Sequence, residues 1–267
     1  MKFLITFFSF LIFITCSSAQ LNPVLTSTQQ MRLNGKVKMI IDTSIIVQNE
    51  DDKEVFDTLS IHVMIFDAKG NMETDRYYDK SGMILSSTSY TYNQKGLRTG
   101  YTSVDENNKM TTKATFEYDD NNFIVKQNNV GKPFDYTDII EYKIKDGIRT
   151  EIRKRDGKYF DSTIVTLNTD NTVKLKVTYK NDKIISKDEY SYSPNSKFPV
   201  GIKSEYYKSR CESKYDFAGN EISSKCEGGS ASTYNYYFDK LNNWIETVTL
   251  YKGIEASAMG RTITYYK

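Results

Sequence analysis

The stretch Phe66-Asp67-Ala68-Lys69-Gly70-Asn71 contains the turn on which the fold depends. It reads aromatic residue, Asp or Asn, two variable residues, then Gly or Asn. An Asp or Asn side chain can accept hydrogen bonds from the backbone just after it and so start a turn. Gly or Asn three residues later tolerates the positive φ that closes the turn. The stretch therefore predicts a tight reversal between two strands.

This turn recurs along the chain. Further copies begin at Tyr78, Tyr92, Tyr118, Tyr215 and Phe238, and a degraded copy begins at Val104. The leading positions 66, 78, 92, 104 and 118 are 12, 14, 12 and 14 residues apart, which fits one strand plus one turn. The turn residues of the repeat are Asp67, Gly70, Asp79, Gly82, Asn93, Gly96, Asp119, Asn122, Asp216, Gly219, Asp239 and Asn242.

The segments between the turns have strand composition. They are rich in Thr, Tyr and Ile, as in Ser86–Tyr92 and Val173–Tyr179. No window shows a convincing helical apolar period, so we expect almost no helix after residue 19. The connections are too short for the crossovers that parallel strands need. We predict an all-β protein of roughly 15 to 17 strands. They form an antiparallel β-hairpin-repeat meander, strongly twisted and curled into an open spiral or a barrel-like sheet.

Composition excludes several classes of protein. The 267 residues include 36 Lys+Arg and 34 Asp+Glu, a net charge of +2, so no strong field would attract nucleic acid. Aromatic residues make up 13%, which excludes wholesale disorder. Only 4 Pro and 14 Gly are present, which excludes collagen-like and Pro-rich stalks.

The first nineteen residues have the pattern of a secretory signal peptide. Met1-Lys2 is a minimal positive region, Phe3 to Ile14 is apolar, and Ser17 and Ala19 suit cleavage before Gln20. The apolar run is shorter than the roughly 20 residues of a spanning helix. No later segment is apolar for even ten residues, so we expect an exported mature chain, without a transmembrane segment, in the periplasm, on the surface or in the medium.

Lipid anchoring at Cys16 is the less favoured alternative for export. A lipoprotein signal places a small residue just before the Cys and usually Leu at −3, whereas Thr15 and Phe13 stand there. After the signal we expect a polar leader, residues 20–32, and one β domain, residues 33–267. A candidate articulation lies at residues 193–200, which contain Pro194 and Pro199.

Cys211 and Cys226 flank the turn that begins at Tyr215. Their numbers have the same sum as those of Tyr215 and Ile222, so if the latter two face each other across the hairpin, the cysteines do as well. Directly opposed strand residues have Cα separations of about 4.5–5.5 Å, which a disulfide tolerates. Because export leads to an oxidising compartment, we predict a disulfide, with a reduced facing pair as the alternative.

No catalytic motif is evident. His62 is the only histidine, and we interpret it as a strand residue with a solvent or backbone bond. The chain has no GxSxG, HExxH, P-loop or GxGxxG motif. The cluster Asp119-Asp120-Asn121-Asn122 lacks the calcium-loop pattern and is interpreted as a turn. We therefore expect no catalytic residue, no metal site and no cofactor.

The tyrosines have two interpretations. One is a ladder of cross-strand aromatic rings in the core, with hydroxyl groups at the rim. The other is a platform on which sugar rings stack, for which the candidate residues are Tyr90, Tyr92, Tyr101, Tyr118, Tyr236 and Trp244.

The most basic window runs from Lys143 to Lys158, with seven basic and three acidic residues, a balance of 7 − 3 = +4. Strand parity places Arg149, Glu151, Arg153 and Arg155 on one face. A solvated sheet edge that discourages aggregation is the favoured interpretation. A patch that binds acidic polysaccharide or lipid headgroups is the alternative.

The repeated turns resemble the YD (RHS-type) repeats of exported bacterial proteins. The opening Leu33-Asn34-Gly35-Lys36-Val37-Lys38 and the closing Asp239-Lys240-Leu241-Asn242-Asn243-Trp244 and Arg261-Thr262-Ile263-Thr264-Tyr265-Tyr266 resemble small envelope proteins with such repeats. Residues 130–210 lack the Tyr-Asp-x-x-Gly turn. The resemblance implies repetitive β architecture, export, carbohydrate or partner binding, and no shared catalytic residue.

These observations predict an exported, non-enzymatic β-repeat protein of the cell envelope with a binding or structural role. The expected partner is a glycan or an envelope protein. The alternatives are an envelope glycan-active hydrolase that uses an Asp/Glu pair, and an immunity or inhibitor partner of another exported protein.

Overall fold

The computed structural model describes residues 27–50, 53–120, 122, 124–131, 136–170, 172–194, 198–206, 209–216, 218–251 and 253–267. The predicted signal peptide and residues 20–26 of the predicted leader lie outside these ranges. Residues 195–197 of the predicted articulation also lie outside them.

A one-turn helix, α1 (Ser27–Gln30), precedes eighteen strands in the described part of the chain. The strands of the first half are β1 (Val37–Glu50), β2 (Lys53–Phe66), β3 (Met72–Asp79), β4 (Ile84–Tyr92), β5 (Arg98–Asp105), β6 (Met110–Tyr118), β7 (Ile124–Gly131), β8 (Tyr136–Lys145) and β9 (Ile148–Arg155). Those of the second half are β10 (Lys158–Leu167), β11 (Val173–Lys180), β12 (Lys183–Tyr192), β13 (Pro199–Tyr206), β14 (Ser209–Tyr215), β15 (Glu221–Cys226), β16 (Ser232–Phe238), β17 (Trp244–Tyr251) and β18 (Ile254–Tyr265).

The strands form one closed antiparallel barrel. Each strand pairs with its neighbour in sequence, and β1 pairs with both β2 and β18. The predicted all-β antiparallel meander with almost no helix is confirmed, and of its two forms the structure shows the barrel. The strand count exceeds the prediction because some reversals lack a turn signal. The sequence between the end of β13 and the start of β14, for example, contains no Gly, Pro, Asp or Asn.

The turn that follows Phe66 shows how the repeat reverses the chain. The Asp67 carboxylate accepts hydrogen bonds from the backbone N–H groups of Lys69 and Asn71, at 2.8 and 2.9 Å. Gly70 has φ 87° and donates its N–H to the Asp67 carbonyl at 3.0 Å. The pairing register shifts by one residue between Ile65 and Phe66. This combination of a turn, a left-handed residue and a bulge is a favoured hairpin connection.

The other copies of the repeat lie at the same kind of bend. Positive φ occurs at each closing residue, namely at Gly70, Gly82, Gly96, Asn108, Asn122, Gly219 and Asn242. The bulge changes the register expected around Tyr215, which pairs with Glu221 instead of Ile222. Farther along the same hairpin Cys211 still pairs with Cys226, because the shift is confined to the residues next to the turn.

The two ends of the barrel differ in their turns. The end that contains the chain entry to β1 has mostly five-residue turns, such as 67–71, 93–97 and 239–243. We call it the strap end. The opposite end, which we call the far end, has turns of two to five residues, such as 156–157 and 227–231.

Two observations identify the face that points into the barrel. Residues 113, 115 and 117 of β6 are exposed, whereas Ala114 and Phe116 are buried or half-buried. On β1 and β2, the residues on the less exposed face, Ile40, Met64 and Phe66, pack with Met31 and Leu33 from the segment before β1. The inner face is therefore the one that includes Ile40, Phe66 and Ala114.

Residues 27–36, which we call the strap, cross the strap end. At one side Thr28 donates its backbone N–H to the Gly70 carbonyl at 3.0 Å. At the other side the Arg32 guanidinium lies 3.8 Å from the centre of the Phe198 ring and donates to the Ala218 carbonyl at 2.5 Å. Gly70 and Phe198 lie far apart around the ring of strands. Going one way from Gly70 to Phe198 passes β3 to β12, and going the other way passes β2, β1 and then β18 back to β13. The strap thus reaches across the ring.

Further contacts fix the strap on both sides. The backbone N–H of Met72 donates to the Ser27 hydroxyl oxygen at 3.0 Å. Asn34 and Asn243 exchange two hydrogen bonds, at 2.6 and 2.9 Å. The sequence predicted only a polar leader through residue 32, and it gave no sign that the end of this leader packs on the barrel core.

Candidate functional site on the inner face of the barrel

The seam between the first and last strands carries a buried ion pair. Arg261 of β18 donates two hydrogen bonds to the Asp42 carboxylate of β1, both at 2.7 Å. The Arg261 guanidinium also lies 3.3 Å from the centre of the Trp244 ring. Trp244, on the inner face of β17, therefore forms a cation–π contact with Arg261.

His62 continues this polar network on β2. Its Nε2 lies 2.5 Å from Oδ1 of Asp75, and its ring stacks on Tyr77 with centroids 4.1 Å apart. The sequence predicted a solvent or backbone bond for His62, but its partner is the Asp75 carboxylate on the neighbouring strand β3, two residues from the position opposite His62. Burial, reinforced by the Asp75 carboxylate, raises the pKa of Tyr77 and of Tyr90, so both phenols stay protonated at neutral pH.

Three aromatic rings form a row on the inner face of β4, β5 and β6, which we call the aromatic row. Tyr90 and Tyr101 have ring centroids 6.2 Å apart, and Tyr101 and Phe116 have centroids 6.3 Å apart. The Arg98 guanidinium lies 4.6 Å from the centre of the Tyr90 ring. The Tyr90 ring also packs against the core cluster that includes Ile40 and Met64, whereas Tyr101 and Phe116 are half-buried. Aromatic rings beside polar side chains are a combination that can stack on sugar rings.

A second set of tyrosines ties neighbouring hairpins together at the strap end. The Tyr92 hydroxyl donates to the Met72 carbonyl at 2.9 Å, and the Tyr118 hydroxyl donates to the Arg98 carbonyl at 2.6 Å. Three more tyrosines repeat this bond, from Tyr192 to Val173, from Tyr236 to Glu221 and from Tyr266 to Phe66. We call these bonds the tyrosine staples.

The six predicted platform residues therefore fall into separate places. Tyr90 and Tyr101 belong to the aromatic row, whereas Tyr92 and Tyr118 have their hydroxyl groups engaged in staples. Tyr236 and Trp244 lie together on β16 and β17, with ring centroids 6.4 Å apart. Burial raises the pKa of Tyr236 to about 12. The sequence did not indicate Phe116, which completes the row.

The predicted basic window is divided between the two faces of the barrel and does not lie at a sheet edge. Arg149, Arg153, Arg155 and Lys158 are on the inner face, whereas Lys143, Lys145 and Lys154 are on the outward face. In a closed barrel β9 has a partner on each side, β8 and β10. Arg155 donates two hydrogen bonds to Asp138, both at 2.8 Å, and Arg153 Nε donates to Asp161 at 3.0 Å. The interpretation of this window as a solvated edge is therefore wrong, since the chain closes on itself.

The outward face is uneven around the ring. On β1 and β2 it is largely apolar, with Met39, Ile41, Val63 and Ile65. On β12 to β15 most outward positions are occupied by charged residues. They are Lys187, Glu189, Lys203, Glu205, Arg210, Glu212, Lys214 and Lys225. We call the latter set the charged wall.

Cys211 and Cys226 are bonded across β14 and β15, with Cα atoms 4.0 Å apart. Both lie on the inner face, beside Ser213 and Ser224. In the chain-entropy model a link of this separation stabilises the fold by about 3 kcal/mol.

The described residues contain no group of three or more His, Cys, Asp or Glu side chains that could hold a metal ion. Within the same residues, no helix has the length and apolar character needed to cross a membrane. The arrangement on the inner face is thus one of paired charges, hydroxyl groups and aromatic rings. Such groups bind polar ligands by hydrogen bonding and stacking.

No family model matches the chain, and no curated protein matches it. Among solved structures, the chain is similar to a porin-like protein from Bacteroides uniformis, with 11% identity, a TM-score of 0.48, and coverage of 86% of this chain and 98% of that chain. It is also similar to a porin-like protein from Bacteroides vulgatus, with 13% identity, a TM-score of 0.40, and coverage of 84% of this chain and 98% of that chain. What this barrel binds is therefore inferred from its own side chains.

The residues that sequence reasoning missed are Asp42, Asp75, Asp138, Asp161 and Arg261. Each is a charged residue within a strand whose partner lies on another strand. Asp42 was visible as an isolated charge in the apolar run Met39–Ile46, a pattern typical of a buried pair. Its partner, 219 residues away, was not visible without the closure of the barrel.

Proposed function

We propose that this chain is an exported, non-enzymatic barrel of the cell envelope that binds a polar ligand, a glycan, on its inner face. The observation that carries the proposal is the aromatic row of Tyr90, Tyr101 and Phe116, set among hydrogen-bonding side chains on that face. Sugar rings present an apolar face and a polar rim, and this arrangement complements both.

The charged wall supports exposure of the barrel to water. A strand in contact with lipid carries apolar residues on its outward face, and Lys or Arg there costs about 2–4 kcal/mol at the bilayer midplane. Eight charged residues on four adjacent strands would interrupt a lipid belt. Ion pairs such as Arg210–Glu205, at 3.0 Å, hold these charges on the surface.

The closed ring also supports a binding role. Barrels of 16 to 18 strands are wide enough to hold water inside, according to general barrel geometry. The strap crosses one end, whereas the turns of the far end have only two to five residues and are too short to cross it. A ligand would therefore enter from the far end.

Three carboxylates on the inner face form ion pairs with arginines, and this pairing supports a binding protein more than a hydrolase. A glycosidase needs one carboxyl group as an acid and another as a base or nucleophile. Asp42, Asp138 and Asp161 each accept hydrogen bonds from an arginine, so these three carboxylates are already engaged in ion pairs. We also propose that the resemblance of the repeated turns to exported YD repeats reflects this role, since it implies export and carbohydrate or partner binding without a shared catalytic residue.

A glycan-array screen of residues 20–267 tests the proposal. We expect binding to at least one polysaccharide class, and loss of that binding in Tyr101→Ala, which removes the middle ring of the row. Tyr237→Ala is the matched control, since Tyr237 is on the outward face and 54% exposed. Absence of binding to every glycan, or equal loss in both variants, would refute a glycan site on the aromatic row.

A further inference from the structure

We infer that the inner face of β8 to β11, close to the far end, binds an anionic group of the ligand, a carboxylate or sulfate on an acidic glycan. This inference rests on the proposed function and specifies its ligand class. We call this region the basic inner wall.

A single aromatic ring lies at the centre of the basic inner wall. The Phe160 ring has three cations close to its centre, namely the Arg153 and Arg155 guanidinium groups at 4.6 and 4.3 Å and the Lys180 ammonium group at 4.5 Å. Three positive charges around one ring repel one another unless anions lie between them. Asp161 and Asp138 pair with the two arginines. Lys180 has no carboxylate partner among the described residues.

The charge balance of this wall is positive. Strand pairing places on one face the basic residues Arg149, Arg153, Arg155, Lys158, Lys176 and Lys180, and the acidic residues Asp138, Glu151 and Asp161. The balance is 6 − 3 = +3, and it stays at 7 − 4 = +3 when the facing residues Lys183 and Asp188 of β12 are included. By contrast, β3 and β5 place Asp75 and Asp105 on the inner face. Arg98 of β5 is also on this face, beside the Tyr90 ring. The larger excess of basic residues on β8–β11 therefore attracts an anion more strongly than β3–β5 does.

Lys176 supplies a second cation of this face. It lies opposite Val165 of β10, which is 3% exposed, and opposite Asp188 of β12, and is itself half-buried. Among the described residues no carboxylate forms an ion pair with it. An ammonium group in a partly desolvated position binds an anion more strongly than one in open solvent, because screening by water is weaker there.

The position of the wall suits a ligand that enters from solution. Lys180 ends β11 and Lys158 begins β10, so both lie at the rim of the far end, away from the strap. Phe160, between them, offers an apolar surface for a sugar ring whose acidic group contacts the lysines. A uronic acid or a sulfated sugar combines these two features.

The test measures the affinity of the mature chain, residues 20–267, for three oligosaccharides of equal length by titration calorimetry. They are an oligogalacturonate, a heparin fragment and a neutral malto-oligosaccharide. We expect the acidic sugars to bind more tightly than the neutral one, and to bind more weakly as ionic strength increases. Comparison of the affinity for the oligogalacturonate, which carries carboxylates, with that for the heparin fragment, which is rich in sulfate, identifies the preferred anion.

Two variants locate the site. Lys176→Gln/Lys180→Gln removes two inner-wall charges without leaving a buried carboxylate unpaired, and it should weaken binding of the acidic sugar by about tenfold or more. Lys203→Gln/Lys214→Gln removes two exposed charges from the charged wall and should leave affinity unchanged. Equal losses in both double variants would place the anion on the outer surface and overturn the inference.

Failure of this inference is distinct from failure of the proposed function. Equal affinity for neutral and acidic sugars would overturn the anion site while leaving glycan binding intact. No binding to any of the three sugars, together with a negative glycan array, would overturn both.

Discussion

Asp42 and Arg261 join the two ends of the polypeptide across the seam of the barrel. The first lies on β1 and the second on β18, and two hydrogen bonds of 2.7 Å connect them. Their side chains are 4% and 5% exposed. A buried charge without its partner is strongly unfavourable, so each residue of the pair depends on the other.

Asp42→Ala is therefore expected to lower the free energy of unfolding by about 3–5 kcal/mol, because it leaves the Arg261 guanidinium buried and unpaired. Urea denaturation followed by far-UV circular dichroism measures the change. Glu189→Ala is the matched control, since its ion pair with Lys187 lies on the solvent-exposed charged wall and should contribute far less than the buried pair. Similar losses in the two variants would contradict a special role for the seam.

The tyrosine staples predict a small and additive effect. Tyr92→Phe and Tyr118→Phe each remove one hydroxyl donor and leave a backbone carbonyl without that bond. We expect each to destabilise the fold by about 1 kcal/mol. In Tyr237→Phe, where the ring is exposed, the change should stay within about 0.5 kcal/mol. A neutral outcome for both staple variants would mean that ring packing alone holds these hairpins.

Alanine substitutions at Gly219 and Gly82 distinguish the cost of backbone strain from the cost of losing the contact with the strap. Both have positive φ, at 79° and 85°. A Cβ at Gly82 would have no neighbour within 4 Å, whereas a Cβ at Gly219 would lie 1.4 Å from the Arg32 guanidinium. Gly82→Ala should therefore cost about 1–2 kcal/mol from the left-handed backbone alone. Gly219→Ala should cost more, and it should also displace the strap.

Limited trypsin digestion distinguishes the two glycine variants. Cleavage after Arg32 should accelerate in Gly219→Ala, where the guanidinium loses its place against Phe198 and Ala218. It should remain at the rate of the unmodified chain in Gly82→Ala. Equal cleavage rates in the two variants would show that Arg32 does not hold the strap.

Glu221 predicts a dependence of stability on pH. Burial raises the pKa of Glu221 above its usual range, against opposing bonds from Ser213 and Ser224. The folded pKa therefore exceeds the unfolded pKa of about 4.3. The stabilisation is complete below the unfolded pKa and is lost as pH rises through the folded pKa. Glu221→Gln should raise the melting temperature at neutral pH and have little effect below about pH 4.

Melting curves at several pH values measure this effect. Glu205→Gln is the control, since Glu205 is exposed on the outward face. Its melting temperature should change little between the same pH values. A lower melting temperature for Glu221→Gln at neutral pH would mean that the ionised carboxylate stabilises the fold.

The sequence was sufficient to predict the turns and strands, but not the closure of the sheet into a barrel. The Asp67-to-Gly70 pattern predicts a turn because its hydrogen bonds join residues at most four positions apart. The pairing of β1 with β18 joins residues such as Val37 and Tyr265, and no local pattern encodes it. Barrel closure depends on strand number and stagger together, which no single hairpin determines.

The inner face shows a second reason for the limits of prediction. Parity correctly placed Arg149, Glu151, Arg153 and Arg155 on one face of β9. The opposite face of β8 and β9 also carries charges, such as Glu141 and Lys154, paired at 2.9 Å. When both faces of a strand are polar, alternation separates them but does not show which one points inward.

The pairing of the first strand with the last has a consequence for biogenesis. Until β18 is available for pairing, β1 retains an unpaired edge of fourteen residues that is rich in Ile and Val. Such an edge is a template for pairing with another chain, and contacts between residues this distant in sequence form slowly. Closure of the barrel is therefore the last step of folding, and the incomplete ribbon is the species most exposed to pairing with another chain.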